Sequence, residues 1–290
     1  MKDFIVYTDS TTDLSPQLID ELGVKIIPLE FNIDDRTFLD YPDRRELGIK
    51  EFYDMVRDGK QATTSLINQW RYVEIFEPEL KSGKDILYIA FSSGLSGSVG
   101  FAFETAEILT KKYPDRKLIV VDSLAASMGE GLLVYLAVEQ KRSGLSIEQT
   151  AKWVEDNRNT IAHWFTVDDL KHLRRGGRLS ATAAFLGSML NIKPVLHVDN
   201  DGKLIPISKV RGRNLALQTL IQKLEEAGVD LKNQVIFISH GDCEQECREM
   251  AREIEEKYGV KKVFINEIGP VIGAHAGPRT IALFFVAKEK

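Results

Sequence analysis

The stretch Asp85-Ile86-Leu87-Tyr88-Ile89-Ala90-Phe91-Ser92-Ser93-Gly94-Leu95-Ser96-Gly97-Ser98, running on to Leu109, decides how this chain folds. Its first part is a continuous apolar run of strand length, as expected of a strand buried on both faces of a parallel sheet. Serines and glycines then break the run, and Val99, Ala102, Ala106 and Leu109 follow at helical spacing. Strand, turn and helix in that order bring the turn to the carboxyl edge of a sheet, where α/β proteins place their ligand crevice. The helix start offers unpaired N–H groups and the positive end of its dipole. The glycines admit a ligand close to the backbone, and the hydroxyls add donors. The turn reads as a cradle for a carboxylate or phosphate, or else as a plain turn with an N-cap. It is not a Walker loop, since no Gly-Lys-Ser/Thr follows, and it lacks both the dinucleotide fingerprint and the Gly-x-Ser-x-Gly elbow.

Around this stretch the chain has 290 residues, enough for a large core and two domains. A net charge of −5, with no long block of one sign, argues against nucleic acid as the main partner. There is no signal-peptide pattern at Met1-Lys2-Asp3-Phe4 and no apolar run of membrane-spanning length, so a cytoplasmic protein without a membrane span is expected. Cys243 and Cys247, even with His240, match no common zinc spacing and lack a fourth ligand; they read as reduced structural cysteines.

Strand and helix alternate through the first half. Phe4 to Tyr7 is a strand, and the polar Thr8 to Asp13 leads into a helix from about Ser15 to Leu22. Val24 to Leu29 carries Pro28 and reads as an edge strand or strand end. Asp34 to Tyr41 fits a loop or hairpin and Glu51 to Val56 a helix. Thr63-Thr64-Ser65 reads as a capping group, or a second set of anion donors, ahead of a helix with the stripe Trp70, Val73, Phe76 and Leu80. A strand over Lys117 to Ser123 and helices over Met128 to Gln140 and Ile147 to Asn157 complete an α/β domain, residues 1–160, with a mostly parallel sheet and flanking helices. From residue 161 to 290 the pattern changes to an α+β domain with a mixed sheet. It includes a hairpin around Asp199-Asn200-Asp201-Gly202, the basic turn Arg174-Arg175-Gly176-Gly177-Arg178, and a glycine-rich segment from Gly269 to Pro278 before the last strand. With no low-complexity linker, the two domains should pack closely and hold a ligand in the cleft between them.

Taken together, these stretches resemble the DegV family. The resemblance rests on Thr8-Asp9-Ser10-Thr11, Thr63-Thr64-Ser65, Ser92-Ser93-Gly94-Leu95-Ser96-Gly97 and Asp122-Ser123. It continues in Val167-Asp168-Asp169-Leu170, Arg175-Gly176-Gly177-Arg178-Leu179, Lys193-Pro194-Val195-Leu196, Lys209-Val210-Arg211, and Gly269-Pro270-Val271-Ile272-Gly273 with His275. The family implies a two-domain α/β fold enclosing one long-chain fatty acid, with no other cofactor. It also implies a role as the acyl-binding subunit of a bacterial fatty-acid kinase. A separate ATP-dependent subunit phosphorylates the carboxylate, and the acyl phosphate feeds phospholipid synthesis. Carried over residue by residue, Thr64 and Ser96 are the carboxylate-binding hydroxyls, Ser93 and His275 candidates in the same network, and Arg211 a candidate at the pocket mouth. Which neighbour in Thr63-Thr64-Ser65 or Ser92-Ser93 donates stays open. Two positions depart from the family pattern: Leu66-Ile67 stands where Gln-Pro is usual, and Arg279 where a glycine is common.

The residues agree with that implication. A carboxylate needs converging donors, whereas an acyl chain needs a dry apolar tunnel, for which Ala183, Ala184, Phe185, Leu186, Met189 and Leu190 are suited, or else form ordinary core. A protonated His275 would add a charge-assisted bond. His163, His172 and His197 read as structural, and Arg174, Arg175 and Arg178 as partners of Asp168 and Asp169 in preference to a phosphate or an acidic surface. The competing reading is a serine-dependent acyl hydrolase using Ser93 or Ser96 with His275, weakened by the missing nucleophile elbow. A regulatory or nucleic-acid-binding role has less support still.

Overall fold

The computed structural model describes residues 4–179 and 191–290. Its first sheet is wholly parallel, in the order β2 (Lys25–Ile27), β1 (Phe4–Asp9), β6 (Asp85–Ala90), β7 (Leu118–Asp122). The place of β6 accounts for its unbroken apolar run. Leu87 and Ile89 join Phe4 and Val6 in one core, while Ile86, Tyr88 and Ala90 join Tyr7 in another, so every residue is buried whichever way it points. The second face is covered by α3 (Gln69–Lys81) and α4 (Ser98–Lys112), the first by α5 (Met128–Arg142) and α6 (Ile147–Asn157). The polar loop after β1 ends in α1 (Pro16–Leu22), which Ser15 caps. As expected, β2 is an edge strand.

A small antiparallel sheet, in the order β4 (Arg36–Leu39), β3 (Glu30–Ile33), β5 (Ala62–Ser65), lies beside α2 (Ile49–Arg57). Here two local expectations change. Thr63-Thr64-Ser65 is strand rather than cap, and Asn68 caps α3 by accepting from Arg71 N at 3.0 Å. The buried stripe of α3 is Tyr72, Phe76 and Leu80, with Trp70 turned out to solvent. The same i, i+4 spacing is simply entered two residues later, where Tyr72 can stack on Phe76.

The third sheet has six strands in the order β10 (Leu204–Arg211), β9 (Ile192–Val198), β8 (Ile161–Thr166), β13 (Ile281–Val286), β11 (Val235–His240), β12 (Lys262–Glu267). All its pairings are antiparallel except β11 with β12, which makes it the expected mixed sheet. One face packs on α8 (Arg213–Ala227) and α9 (Glu244–Tyr258) through Ile236, Ile238, Leu283 and Phe285. The opposite face, with Phe237 and Phe284, packs on α5, which is therefore enclosed between the parallel and the mixed sheets. That enclosure explains why every residue from Met128 to Val134 is buried, and why the helix carries Gly129 and Gly131. A Cβ at Gly129 would lie 2.7 Å from Phe284 Cδ1, and one at Gly131 2.8 Å from Leu14 Cδ2. The glycine-rich segment before the last strand contains a short helix, α10 (Pro270–Ala276), and the basic turn ends another, α7 (Lys171–Arg175). Ala183, Ala184, Phe185, Leu186, Met189 and Leu190 lie outside the described residues.

The sheets are tied together at their loops. Ser92 Oγ donates to Gly202 O at 2.8 Å, and a Cβ at Gly94 would come 2.6 Å from Asp201 O, so the serine-rich turn sits directly on the β9–β10 hairpin. Four carboxyl groups, Asp9, Asp13, Asp40 and Glu130, are buried where the loop after β1 meets α5 and α10. Asp9 accepts from Tyr88 Oη at 2.9 Å and Phe91 N at 3.2 Å. The single Thr11 hydroxyl proton lies between Asp9 Oδ1 at 2.5 Å and Glu130 Oε2 at 2.8 Å. A second proton is needed there, and Glu130 carries it: burial, then the charge of Asp9, pushes its carboxyl well above the usual range. Asp13 accepts from Ser127 Oγ at 2.5 Å and Gly269 N at 2.7 Å, joining β1's loop to α5 and α10. Asp40 pairs with Arg44.

Burial raises Asp13 to about 7 and Asp40 to about 6 against a usual 3.8. The folded state then holds protons that the unfolded chain has released. The stability this represents is complete below about pH 4 and is lost as pH rises towards 7, amounting to at most about 4 kcal/mol for Asp13. Urea midpoints measured from pH 4 to 8 should accordingly fall more steeply with rising pH in the native chain than in Asp13→Asn. Parallel profiles would show that Asp13 is ionised throughout.

Candidate functional site

Strand alternation decides which hydroxyl of Thr63-Thr64-Ser65 turns inward. On β5, Ala62 and Thr64 point the same way, and Thr63 faces solvent. Thr64 meets α10, where its Oγ1 lies 2.9 Å from His275 Nε2. Two glycines allow this approach. A Cβ at Gly273 would lie 2.8 Å from Tyr53 Oη, so α10 can lie flat on α2. A Cβ at Gly176 would collide with His275 Nδ1, so the turn after α7 can cover the imidazole.

Ser96 joins from the opposite side, at the turn leading into α4. Its Oγ accepts from Ser98 N at 3.2 Å and stands 2.9 Å from Ser98 Oγ, which in turn accepts from Ile67 N at 3.0 Å. The departure at residue 67 matters here, because a proline would have no N–H to donate to Ser98. Thr64 and Ser96 are thus held by one short chain of bonds on each side of a gap.

That gap is one end of a cavity of about 180 Å³. Besides Thr64, Ser96 and His275, its wall includes Ser65, Leu66, Gly97 and Arg178. The rest is mainly apolar. Phe165 on β8 and Ala282 and Phe284 on β13 form its floor, closed at the sides by Phe91, Leu95, Val198 and Val271. The register pairs Ala282 with Phe165 and Phe284 with His163, so alternate residues of two neighbouring strands make one continuous surface. From Thr280 to Phe284 this floor runs roughly 14 Å at the rise of an extended strand.

Not every expected residue reaches the cavity. Ser93 is exposed and points away, its N–H donating to Asp122 Oδ1 at 3.1 Å. Arg211 is exposed at the end of the edge strand β10, opposite Ile192, and is not on the wall. The Arg178 expectation reverses in the other direction. Asp168 pairs with Lys193 and Arg279 and Asp169 with Lys171, while Arg178 lines the cavity. Its Nε donates to Leu95 O at 3.1 Å and its Nη1 to Gly176 O at 2.6 Å, which fixes the guanidinium at the same end as Thr64 and Ser96. The paired glycines at 176 and 177, which fold the chain back on itself, were the available signal.

His163, read as structural, is also on the wall, but its Nδ1 bonds Ile161 O at 2.8 Å and burial holds its pKa well below the usual value. His275 is neutral as well. Burial first, then the charges of Arg178 and Arg175, push it down to about 4 in the ligand-free protein, whereas the charge-assisted bond expected of an imidazolium belongs to the state with a carboxylate beside it. Its Nδ1 is buried without a partner among the described residues, so the tautomer that avoids an orphaned N–H carries its proton on Nε2 and donates to Thr64 Oγ1. Thr64 then has its own hydroxyl proton to offer the cavity. This bond also engages His275 with Thr64 rather than with Ser93 or Ser96, leaving the hydrolase reading without a serine–histidine pair. Arg279 does adopt the left-handed conformation, at φ +60°, stapled by ion pairs to Asp168 and Glu246.

The family model described as "Uncharacterised protein, DegV family" matches residues 3–288 of this chain. A DegV domain-containing protein of Clostridium perfringens is 45% identical over 290 residues, 100% of this chain and 99% of that one. Among solved structures, a DegV family protein from Thermus thermophilus, described for its fatty-acid binding, superposes with a TM-score of 0.87 at 29% identity, covering 99% of this chain and 100% of that one. A stearic-acid-binding protein from Eubacterium ventriosum, 26% identical, gives 0.87 over 99% of each chain.

The burial of His275 has a direct readout. Followed by NMR in ligand-free protein, its ring protons should titrate near pH 4, below an exposed histidine. A midpoint at or above 6.5 would show that the ring is hydrated or paired with an anion.

Proposed function

The chain belongs to the DegV family, and we propose that it binds one long-chain fatty acid, with the carboxylate at the Thr64–Ser96 end of the cavity and the acyl chain along the apolar floor. What carries this reading is the convergence of two hydroxyls and one guanidinium at a single end of an otherwise mainly apolar cavity. Thr64 donates its hydroxyl proton to one carboxylate oxygen, oriented by the neutral His275 behind it. Ser96 donates to the other once Ser98 supplies the proton between the two serines. Arg178 provides the positive charge that a half-buried carboxylate needs. Each methylene taken from water contributes about 0.8 kcal/mol, so the chain supplies most of the affinity and the polar end sets direction and register. The solved relatives that bind fatty acids support the same assignment.

The reading extends to a carrier role in the cytoplasm. The protein has two domains, residues 1–160 and 161–290, and holds the acid between them. It presents the carboxylate to a separate ATP-dependent kinase subunit, which forms the acyl phosphate used in phospholipid synthesis. Arg211 is exposed at the end of β10, and in this reading it serves the partner surface and not the bound carboxylate. Ser93, exposed and off the cavity wall, is left out of this reading.

Organic extraction of the purified protein followed by mass spectrometry should return about one fatty acid per chain, or the emptied protein should bind added fatty acid. Failure of both removes the assignment. Thr64→Ala, Ser96→Ala and Arg178→Gln should each weaken binding roughly tenfold to a hundredfold, the worth of a hydrogen bond to a charged group, while each variant still folds cooperatively with its melting temperature lowered by only about a few degrees for the lost internal bonds. Arg211→Ala should leave fatty-acid affinity unchanged while reducing phosphorylation by the kinase subunit. Equal affinities across the first three variants would move the carboxylate elsewhere.

A further inference from the structure

Outside the cavity, a second group of reactive side chains lies at the start of α9. Both cysteines of the chain are there. Cys243 is the N-cap residue, partly exposed, and Cys247 stands four residues on, fully buried. Arg213, at the start of α8, donates from Nη2 to Cys243 Sγ at 3.7 Å, and its Nη1 is buried with no partner among the described residues. Arg213 and Arg279 both pair with Glu246, at 2.7 and 3.0 Å, and so bring two guanidinium groups to the same turn. His240 Nδ1 accepts from Cys243 N at 3.4 Å, and Glu244 and Asp242 flank the turn. Cys243 Sγ also donates to Thr280 O at 3.6 Å, and Thr280 is part of the cavity wall, so the sulfur lies one residue behind the cavity.

We propose that Cys243 and Cys247 form a reversible dithiol–disulfide couple, in which Cys243 is the peroxide-reactive thiol and Cys247 the resolving one. A nucleophilic thiolate needs positive surroundings and access. Cys243 has the start of a fifteen-residue helix, two arginines and partial exposure. The neighbouring Cys247 thiol first, then the charges of Arg213 and Arg279, draw the Cys243 thiol below the usual range against the effect of burial, whereas the nearness of Cys243 and burial push Cys247 up. The chemistry follows from that asymmetry. The Cys243 thiolate attacks one oxygen of hydrogen peroxide, the O–O bond breaks and hydroxide leaves, so sulfur is oxidised by two electrons to a sulfenic acid and the peroxide is reduced. The Arg213 guanidinium, whose Nη2 already stands at the sulfur, can then bond the new oxygen. Cys247 next attacks the Cys243 sulfur, an S–S bond forms, the S–O bond breaks, and water leaves with the Cys247 proton. In total one dithiol and one peroxide give one disulfide and two waters, and a thiol reductant reverses the change.

The spacing permits it. Residues i and i+4 on one helix face have Cβ atoms about 5–6 Å apart, and a disulfide needs about 3.8 Å. The residue that must move is Cys243, an N-cap at φ −147° outside the helical conformation, so the gap can close without unwinding α9.

The test uses the full chain treated with hydrogen peroxide, then alkylated and weighed by mass spectrometry. The expected result is that both thiols become protected together, the intact mass falls by two hydrogens, and dithiothreitol restores both. In Cys247→Ser a sulfenic acid should accumulate at Cys243 and be trapped by dimedone, while in Cys243→Ser the remaining thiol should stay reduced. Two alkylatable thiols after exposure that fully oxidises free cysteine, or disulfides only between chains, would overturn the proposal. The measurement on the unaltered chain stands even if a variant folds poorly, and it does not depend on what the cavity binds.

Discussion

The two-sided burial of β6 is the constraint from which the rest of the molecule follows. A strand with Leu87 and Ile89 in one core and Ile86, Tyr88 and Ala90 in another can lie only inside a covered parallel sheet. Its partners must then be β1 and β7, and its exit must fall at the carboxyl edge, where three loops from three strands meet. Covering one face with α5 has a further consequence. That helix is buried on its far side as well, against Phe237 and Phe284, so the parallel sheet and the mixed sheet share one core and cannot separate without exposing it.

Polar groups are buried where those loops meet, and they do different work from the apolar core. Asp9, Asp13, Asp40 and Glu130 accept hydrogen bonds from the loops around them, and protons on some of these acids avoid the cost of four uncompensated charges in one place. The result is a stiff frame immediately behind the cavity, since Ser127 bonds Asp13 and is also a wall residue. Site residues gain their direction from this frame. Thr64 is aimed by strand alternation and by His275, Ser96 by Ser98, and Arg178 by two carbonyls.

Much of this was legible beforehand because it depends on local periodicity. The parallel half, the edge position of β2, the β9–β10 hairpin and the mixed second sheet all follow from patterns of two or 3.6 residues and from turn chemistry. Thr64, Ser96 and His275 were placed by their resemblance to family motifs and do meet at one cavity. Errors arose where a residue's direction depends on something distant in sequence. Ser93 and Ser96 are three residues apart in one turn, yet Ser93 is exposed, with its backbone N–H held by the Asp122 carboxylate from the next strand. Arg178 and Arg211 carry the same charge, but only the first is folded back onto Leu95.

The amino-acid sequence alone therefore determined the order and type of most elements, the layering of two unlike sheets and the kind of chemistry expected at the carboxyl edge. These depend on short-range periodicity and on where polar turns interrupt it. The tertiary structure alone decided which hydroxyls face the cavity, that α10 forms from a glycine-rich run, that Arg178 rather than Arg211 stands at the polar end, and that His275 is neutral there. Each of these depends on neighbours that packing supplies: Tyr53 against Gly273, Gly176 against the imidazole, and the burial that makes a charged ring too costly.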